Sequence, residues 1–102
     1  MKYSHLKLKE VIKLDNHIDL TIDVDGTKRW FNEDGDLHRE DGPAIEFANG
    51  TKFWCIYGYY HRINGPAIEH NWGDNQWWYE NNLAPVTSQE EFEQWLKYKA
   101  FQ

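Results

Sequence analysis

The sequence predicts a mainly β fold, an antiparallel meander of repeated β-hairpins with one C-terminal α-helix packed on the sheet. Three observations carry this prediction. A pattern of 23 residues occurs twice in the middle of the chain. Within each copy, short alternating apolar runs are separated by turn dipeptides. Beyond residue 84 the apolar spacing changes to that of a helix.

Writing residues 38–60 above 61–83 gives nine identities: His38/His61, Arg39/Arg62, Gly42/Gly65, Pro43/Pro66, Ala44/Ala67, Ile45/Ile68, Glu46/Glu69, Gly50/Gly73 and Trp54/Trp77. Average composition supplies about one or two such matches. A fainter copy lies upstream, where Gly26, Thr27, Lys28 and Trp30 stand 24 positions before Gly50, Thr51, Lys52 and Trp54. The extra residue falls at Asn32-Glu33-Asp34-Gly35, which reads as a longer turn than Tyr57-Gly58.

Each unit reads as strand, turn, strand and loop. Residues 44–47 alternate, Asn49-Gly50 suits the positive φ angles of a two-residue hairpin turn, and 51–57 form a return strand rich in β-branched and aromatic side chains. Trp72-Gly73 marks the next hairpin turn. Asp41-Gly42-Pro43 and Asn64-Gly65-Pro66 punctuate the units, because proline cannot donate to a continuing ladder. Upstream, residues 7–14 and 17–24 alternate as two further strands joined at Asp15-Asn16, and Lys7, Lys9 and Lys13 protect the first as an edge.

At the C-terminus Ser88 and Glu91 form a capping box, and Phe92, Trp95 and Leu96 recur at helical spacing. Glu90 and Glu91 at the start, with Lys97 and Lys99 at the end, complement the helix dipole. A helix of about three turns is marginal alone in water, so its apolar stripe must dock, with the sheet as the expected platform. One domain is expected over residues 1–102. It comprises N-terminal strands in 1–25, a repeat region in 26–83 with units near 26–37, 38–60 and 61–83, and the helix in 84–102.

Composition excludes more than it assigns. A net charge of −6 argues against a nonspecific nucleic-acid grip, which needs a basic stripe, and against an anionic membrane surface. No apolar run approaches the roughly 20 residues that cross a bilayer, and no signal-type segment follows the N-terminus. A single cysteine, Cys55, excludes a disulfide framework and a multi-cysteine zinc site, which makes a cytoplasmic setting the expectation. With six tryptophans and a mean hydropathy of −0.88, large rings must supply much of the burial.

The string His-Arg-x-Asp/Asn-Gly-Pro-Ala-Ile-Glu, followed by Gly and Trp, occupies 38–54 and again 61–77. It resembles the MORN-like hairpin repeats of many short bacteriophage and bacterial proteins, over roughly residues 26–83. The resemblance implies a hairpin-repeat fold that serves as an interaction surface. For a phage accessory protein, it implies a host defence or regulatory protein as the target, met in the host cytoplasm.

A repeated residue usually serves the geometry of its unit. Arg39 and Arg62 can fork onto Glu46 and Glu69 or onto carbonyls of the Gly-Pro turns, and Trp30, Trp54 and Trp77 read as core. Aromatics that break the repeat have no such duty, which singles out Tyr57, Tyr59, Tyr60, Trp72 and Trp78 as a partner-binding set. The alternative is a small anionic or nucleotide-like ligand, sequestered by His38, Arg39, His61 and Arg62 with nearby rings. Cys55, on the face opposite Trp54, reads as a small buried hydrophobe. The acidic run Asp23, Asp25, Glu33, Asp34 and Asp36 reads as a solvated turn, and the five histidines lack metal-ligand spacing. The expectation is a non-enzymatic protein-interaction module, a monomer or weak dimer, without catalytic residues, metal or cofactor.

Overall fold

The computed structural model describes residues 2–101. Six strands form one antiparallel sheet: β1 (Leu8–Lys13), β2 (Asp19–Asp23), β3 (Lys28–Phe31), β4 (Ile45–Glu46), β5 (Lys52–Phe53) and β8 (Ile68–Glu69), in that spatial order. Two ribbons leave it. β6 (Cys55–Ile56) pairs with β7 (Tyr59–Tyr60), and β9 (Trp78–Tyr79) pairs with β10 (Asn82–Leu83). The helix α1 spans Gln89–Ala100. The fold is therefore mainly β, an antiparallel meander with one C-terminal helix.

Three hairpins of the sheet share one register. Thr21 opposes Arg29, Ile45 opposes Phe53, and Ile68 opposes Gln76. Their tips correct one expectation, because Asn49-Gly50 is not a two-residue turn. The Phe47 N–H donates to the Thr51 carbonyl at 2.9 Å, leaving three residues in the loop, and only Gly50 among them is left-handed, at φ 93°. Asn49 contributes through its side chain instead, its Oδ1 accepting the Thr51 N–H at 2.9 Å. Asp25 does the same for the Thr27 N–H at 2.9 Å, beside Gly26 at φ 95°. The threonines then tie hairpin to hairpin. Buried Thr27 Oγ1 accepts the Ala48 N–H at 3.2 Å, and buried Thr51 Oγ1 accepts the Asn71 N–H at 3.3 Å.

Two-residue turns with both residues left-handed occur at the ribbon tips. Tyr57 and Gly58 (φ 49° and 81°) close the first ribbon, and Glu80 and Asn81 (φ 47° and 68°) close the second. Asparagine replaces glycine there because its short side chain tolerates this conformation. The upstream equivalent, between Phe31 and Leu37, is longer, with the Asn32 N–H bonded to the Asp36 carbonyl at 2.9 Å. These ribbons also break the expected return strand 51–57. The chain pairs with the sheet through Phe53 and then turns away, because Cys55–Ile56 find partners in Tyr59–Tyr60 across the tight turn.

The helix begins where its cap predicts. Ser88 Oγ accepts the Glu91 N–H at 3.2 Å, and Glu91 Oε1 accepts the Thr87 N–H at 2.9 Å. Its docking site differs from the expected one. Phe92, fully buried, packs with Trp77 and Ala84, surrounded by Tyr79, Val86, Trp95 and Leu96, and none of these belongs to the six-stranded sheet. The helix closes the end of the repeat series rather than packing on the sheet. At the opposite end β1 is the edge, and Lys13 donates to buried Asp19 at 2.9 Å.

Candidate functional site

The repeated His-Arg pairs come first, because their bonds show what the scaffold consumes. Arg39 Nη1 donates to the Pro43 carbonyl at 3.1 Å and to Glu46 at 3.0 Å, while its Nε donates to Asp41 at 3.1 Å. Arg62 Nη1 donates to the Pro66 carbonyl at 3.1 Å and also to Glu69. Each guanidinium lies on the indole of the preceding unit, Arg39 at 3.9 Å from the Trp30 ring centre and Arg62 at 3.7 Å from that of Trp54. Buried Gly42 and Gly65 are glycine for this reason, since a Cβ at either would stand 2.7 Å from the guanidinium carbon. The histidines hold the ribbon tips. His38 Nδ1 accepts the Tyr57 N–H at 2.9 Å, and His61 Nδ1 accepts the Glu80 N–H at 3.0 Å.

His38, Arg39, His61 and Arg62 are thus committed to internal partners. A small anion would have to displace carboxylates that already neutralise both guanidinium groups.

Over β4, β5 and β8 the two faces of the sheet divide by chemistry, while on β3 Arg29 stands opposite Ile45. Lys28, Glu46, Lys52 and Glu69 oppose one another across neighbouring strands, an alternating ladder of charge. The other face carries Ile45, Phe53 and Ile68 in one cross-strand row. Rings gather around Phe53. Phe47 lies at 4.9 Å, Tyr60 at 5.7 Å and His70 at 6.4 Å between ring centres. Tyr60 continues to Trp78 at 5.0 Å, and His70 stacks on Trp72 at 4.1 Å and 11°. Trp72 sits at a hairpin tip and is 65% exposed.

Of the five aromatics singled out from the sequence, Tyr60, Trp72 and Trp78 join this surface. Tyr57 does not, since its exposed ring lies 4.5 Å from that of His38 at the first ribbon tip. Tyr59 is exposed on the same ribbon. Sequence reasoning missed Phe47, Phe53 and His70 as members of the ring series. The available signal was parity, since Phe47 and His70 stand two residues after Ile45 and Ile68 and so share their face.

A second feature is an open cleft of about 870 Å³ where the turn after β1 meets the first long loop and the start of the second unit. Asp15, Glu33, Asp34, Glu40 and Asp41 line it together with Trp30, His38, Arg39 and Tyr57. Of the acidic run, Asp23 pairs with Arg29 at 2.6 Å and Asp25 serves its turn, so only Glu33 and Asp34 face the cleft. Glu40 and Asp41 were legible as departures from the repeat, because the aligned positions hold Ile63 and Asn64.

Cys55 is buried, and burial pushes its thiol up to about 12, so it remains a neutral thiol at ordinary pH. Burial, reinforced by nearby Cys55, also raises the Tyr60 hydroxyl above its usual range. Among the described residues no group of three or more His, Cys, Asp or Glu side chains could hold a metal ion. Among them no helix is long and apolar enough to cross a membrane. Comparison with protein families, curated proteins and solved structures finds no match for this chain.

Proposed function

We propose that the protein is a non-enzymatic interaction module, assembled from MORN-like hairpin units, that engages a protein partner through its aromatic face. The observation that supports this reading is the unbroken ring series. It runs from Phe47 through Phe53 and Tyr60 to Trp78, and through His70 to the open indole of Trp72. Such amphipathic rings combine large contact area with few rotatable bonds, which is why they dominate binding hot spots. No bond of the repeated unit requires Trp72, and the aligned position holds Asn49.

The resemblance to phage-type repeats makes a host defence or regulatory protein the first class of target to try. A photo-crosslinking residue at Tyr59, on the neighbouring ribbon, serves to recover the partner from host lysate, and its affinity is then measured with purified components. Trp72→Ala is expected to weaken that affinity by about 1–3 kcal/mol while the thermal midpoint stays put. A recovered partner that binds Trp72→Ala and Trp78→Ala as tightly as the unmodified protein rules this face out.

A further inference from the structure

We infer that the open edge of the last hairpin, at residues 74–77, accepts an extended basic segment of a partner protein as an added β-strand. The inference rests on backbone bonds and is independent of the aromatic face.

The repeat itself shows what this edge lacks. The Trp30 N–H donates to the Ala44 carbonyl at 2.9 Å, and the Trp54 N–H donates to the Ala67 carbonyl at 2.7 Å. Each of these bonds ties one unit to the next. Trp77 is the third tryptophan of the series, and its N–H finds no acceptor among the described residues. Gln76 exchanges both backbone bonds with Ile68, at 2.9 and 3.1 Å. In an antiparallel ladder the flanking residues then point the other way, so the Trp77 N–H and the Asn75 carbonyl face outward. A backbone donor left unpaired beside a buried side chain is costly, and an added strand supplies the missing carbonyl.

A third group completes the edge. Thr27 and Thr51 are buried, and each accepts an N–H from the hairpin that follows. The aligned Asp74 is exposed and accepts no hydrogen bond among the described residues. The helix leaves this edge open. It covers the Trp77 ring through Phe92 and Gln89, while Asp74 and Asn75 stay exposed.

The occupant follows from the same comparison. The segments that fill the equivalent place in the sheet read Ala-Ile-Glu, at 44–46 and again at 67–69. Ala44 and Ala67 are fully buried, so a small side chain belongs at the carbonyl that meets the tryptophan. Charge departs from the pattern. Glu46 and Glu69 face Lys28 and Lys52 across the ladder, whereas the position aligned with these lysines on the open edge holds Asn75, beside Asp74. A glutamate on the added strand loses its lysine and meets Asp74, while a lysine or arginine finds opposite charge there.

The test is an amide-resolved NMR titration of the full chain with acetyl-Pro-Ala-Ile-Lys-Val-Lys-amide. Parallel titrants are the peptide with glutamate for both lysines and the peptide with the first lysine N-methylated on its backbone. Before peptide is added, the Trp77 amide should exchange with solvent faster than those of Trp30 and Trp54. The lysine peptide should shift the amides of 74–77 and slow the exchange of Trp77, and N-methylation should weaken its binding roughly tenfold or more. Asp74→Lys, at an exposed position, should reverse the preference between the lysine and glutamate peptides. A Trp77 amide as protected as that of Trp54 in the free protein would overturn the inference. So would absence of shifts at millimolar peptide, shifts scattered over the acidic surface, equal binding of the N-methylated peptide, or an unchanged preference in Asp74→Lys. The same shifts on raising the protein concentration alone would assign the edge to a second copy of the chain and overturn it equally.

Discussion

The units 38–60 and 61–83 share the arginine bonds to a glutamate and a proline carbonyl and the histidine bond to the ribbon tip, yet end in different surroundings. In the first, Trp54 receives the guanidinium of Arg62. In the second, Trp77 has no arginine to receive, because the positions aligned with His61 and Arg62 hold Ala84 and Pro85. The backbone bond survives the change. The Ala84 N–H donates to the Trp77 carbonyl at 2.9 Å, as the His61 N–H does to that of Trp54 at 3.1 Å. The helix supplies what is missing. Trp77 Nε1 donates to Gln89 Oε1 at 2.8 Å, and Phe92 packs against the cluster. In a stack of units each contacts its neighbours, so the last needs a different cover. Here a helical phenylalanine does the work that a stacked guanidinium does elsewhere.

The comparison is most severely tested at Phe92. Truncation of this fully buried ring in Phe92→Ala should cost about 3–5 kcal/mol, read from urea unfolding. A loss under about 1 kcal/mol would mean that the helix does not cover the last unit.

Arg39→Ala and Arg62→Ala should each cost about 2 kcal/mol, since each leaves a carboxylate and a proline carbonyl without their donor. The two losses should agree within about 1 kcal/mol if the units are equivalent, and a larger gap would break the comparison. Gly42→Ala and Gly65→Ala probe the same contact from the other side. A Cβ forced against the guanidinium should destabilise by about 1–3 kcal/mol.

Asp19 tests the end of the sheet away from the helix. Burial pushes its carboxyl up. Hydrogen bonds from Lys13 and Tyr3, with the charges of Lys13 and Lys2, outweigh that and hold it below the ordinary 3.8. Because the folded value is depressed, its stabilisation is present above the unfolded value and is lost as pH falls through the folded one. Asp19→Asn should therefore flatten the decline in unfolding free energy below about pH 4. An unchanged acid profile would show that the Lys13–Asp19 pair does not stabilise this edge.

The smallest effects sharpen the division between scaffold and surface. Exchanging Glu40 and Asp41 for the isoleucine and asparagine of the second unit should change stability by no more than about 0.5 kcal/mol, because Asp41 bonds Arg39 only at the exposed rim. Trp72→Ala should be equally mild in a thermal melt. A destabilisation of more than about 1 kcal/mol in either case would place these residues with the scaffold.

Much of this was legible because repetition and local chemistry report directly on backbone geometry. The 23-residue offset anticipates the shared register of Ile45 with Phe53 and Ile68 with Gln76, since equal spacing between turns sets equal pairing. Ser88 and Glu91 mark the helix start because a cap bonds to atoms three or four residues away. The size of the hairpin loops was misread because Asn49-Gly50 suits two turn types. The choice between them rests on whether the Asn49 side chain or its backbone closes the turn.

The aromatic candidates were found residue by residue, but their grouping was not. Tyr57 and Tyr60 lie three positions apart on one ribbon, yet one ring meets His38 and the other meets Phe53 and Trp78. That separation follows from where the ribbon leaves the sheet, which no local spacing encodes. The sequence by itself determined the repeat, the class of fold, the start of the helix and the candidacy of the glutamates and turn carbonyls as arginine partners. These rest on contacts between residues close in the chain or related by a constant offset. The tertiary structure alone decided that the helix covers Trp77, that rings from two units form one face, and that carboxylates from three loops share one cleft. These contacts join residues of unrelated spacing, and they form because a short sheet must find cover for its last indole and leaves its loops to meet at the other end.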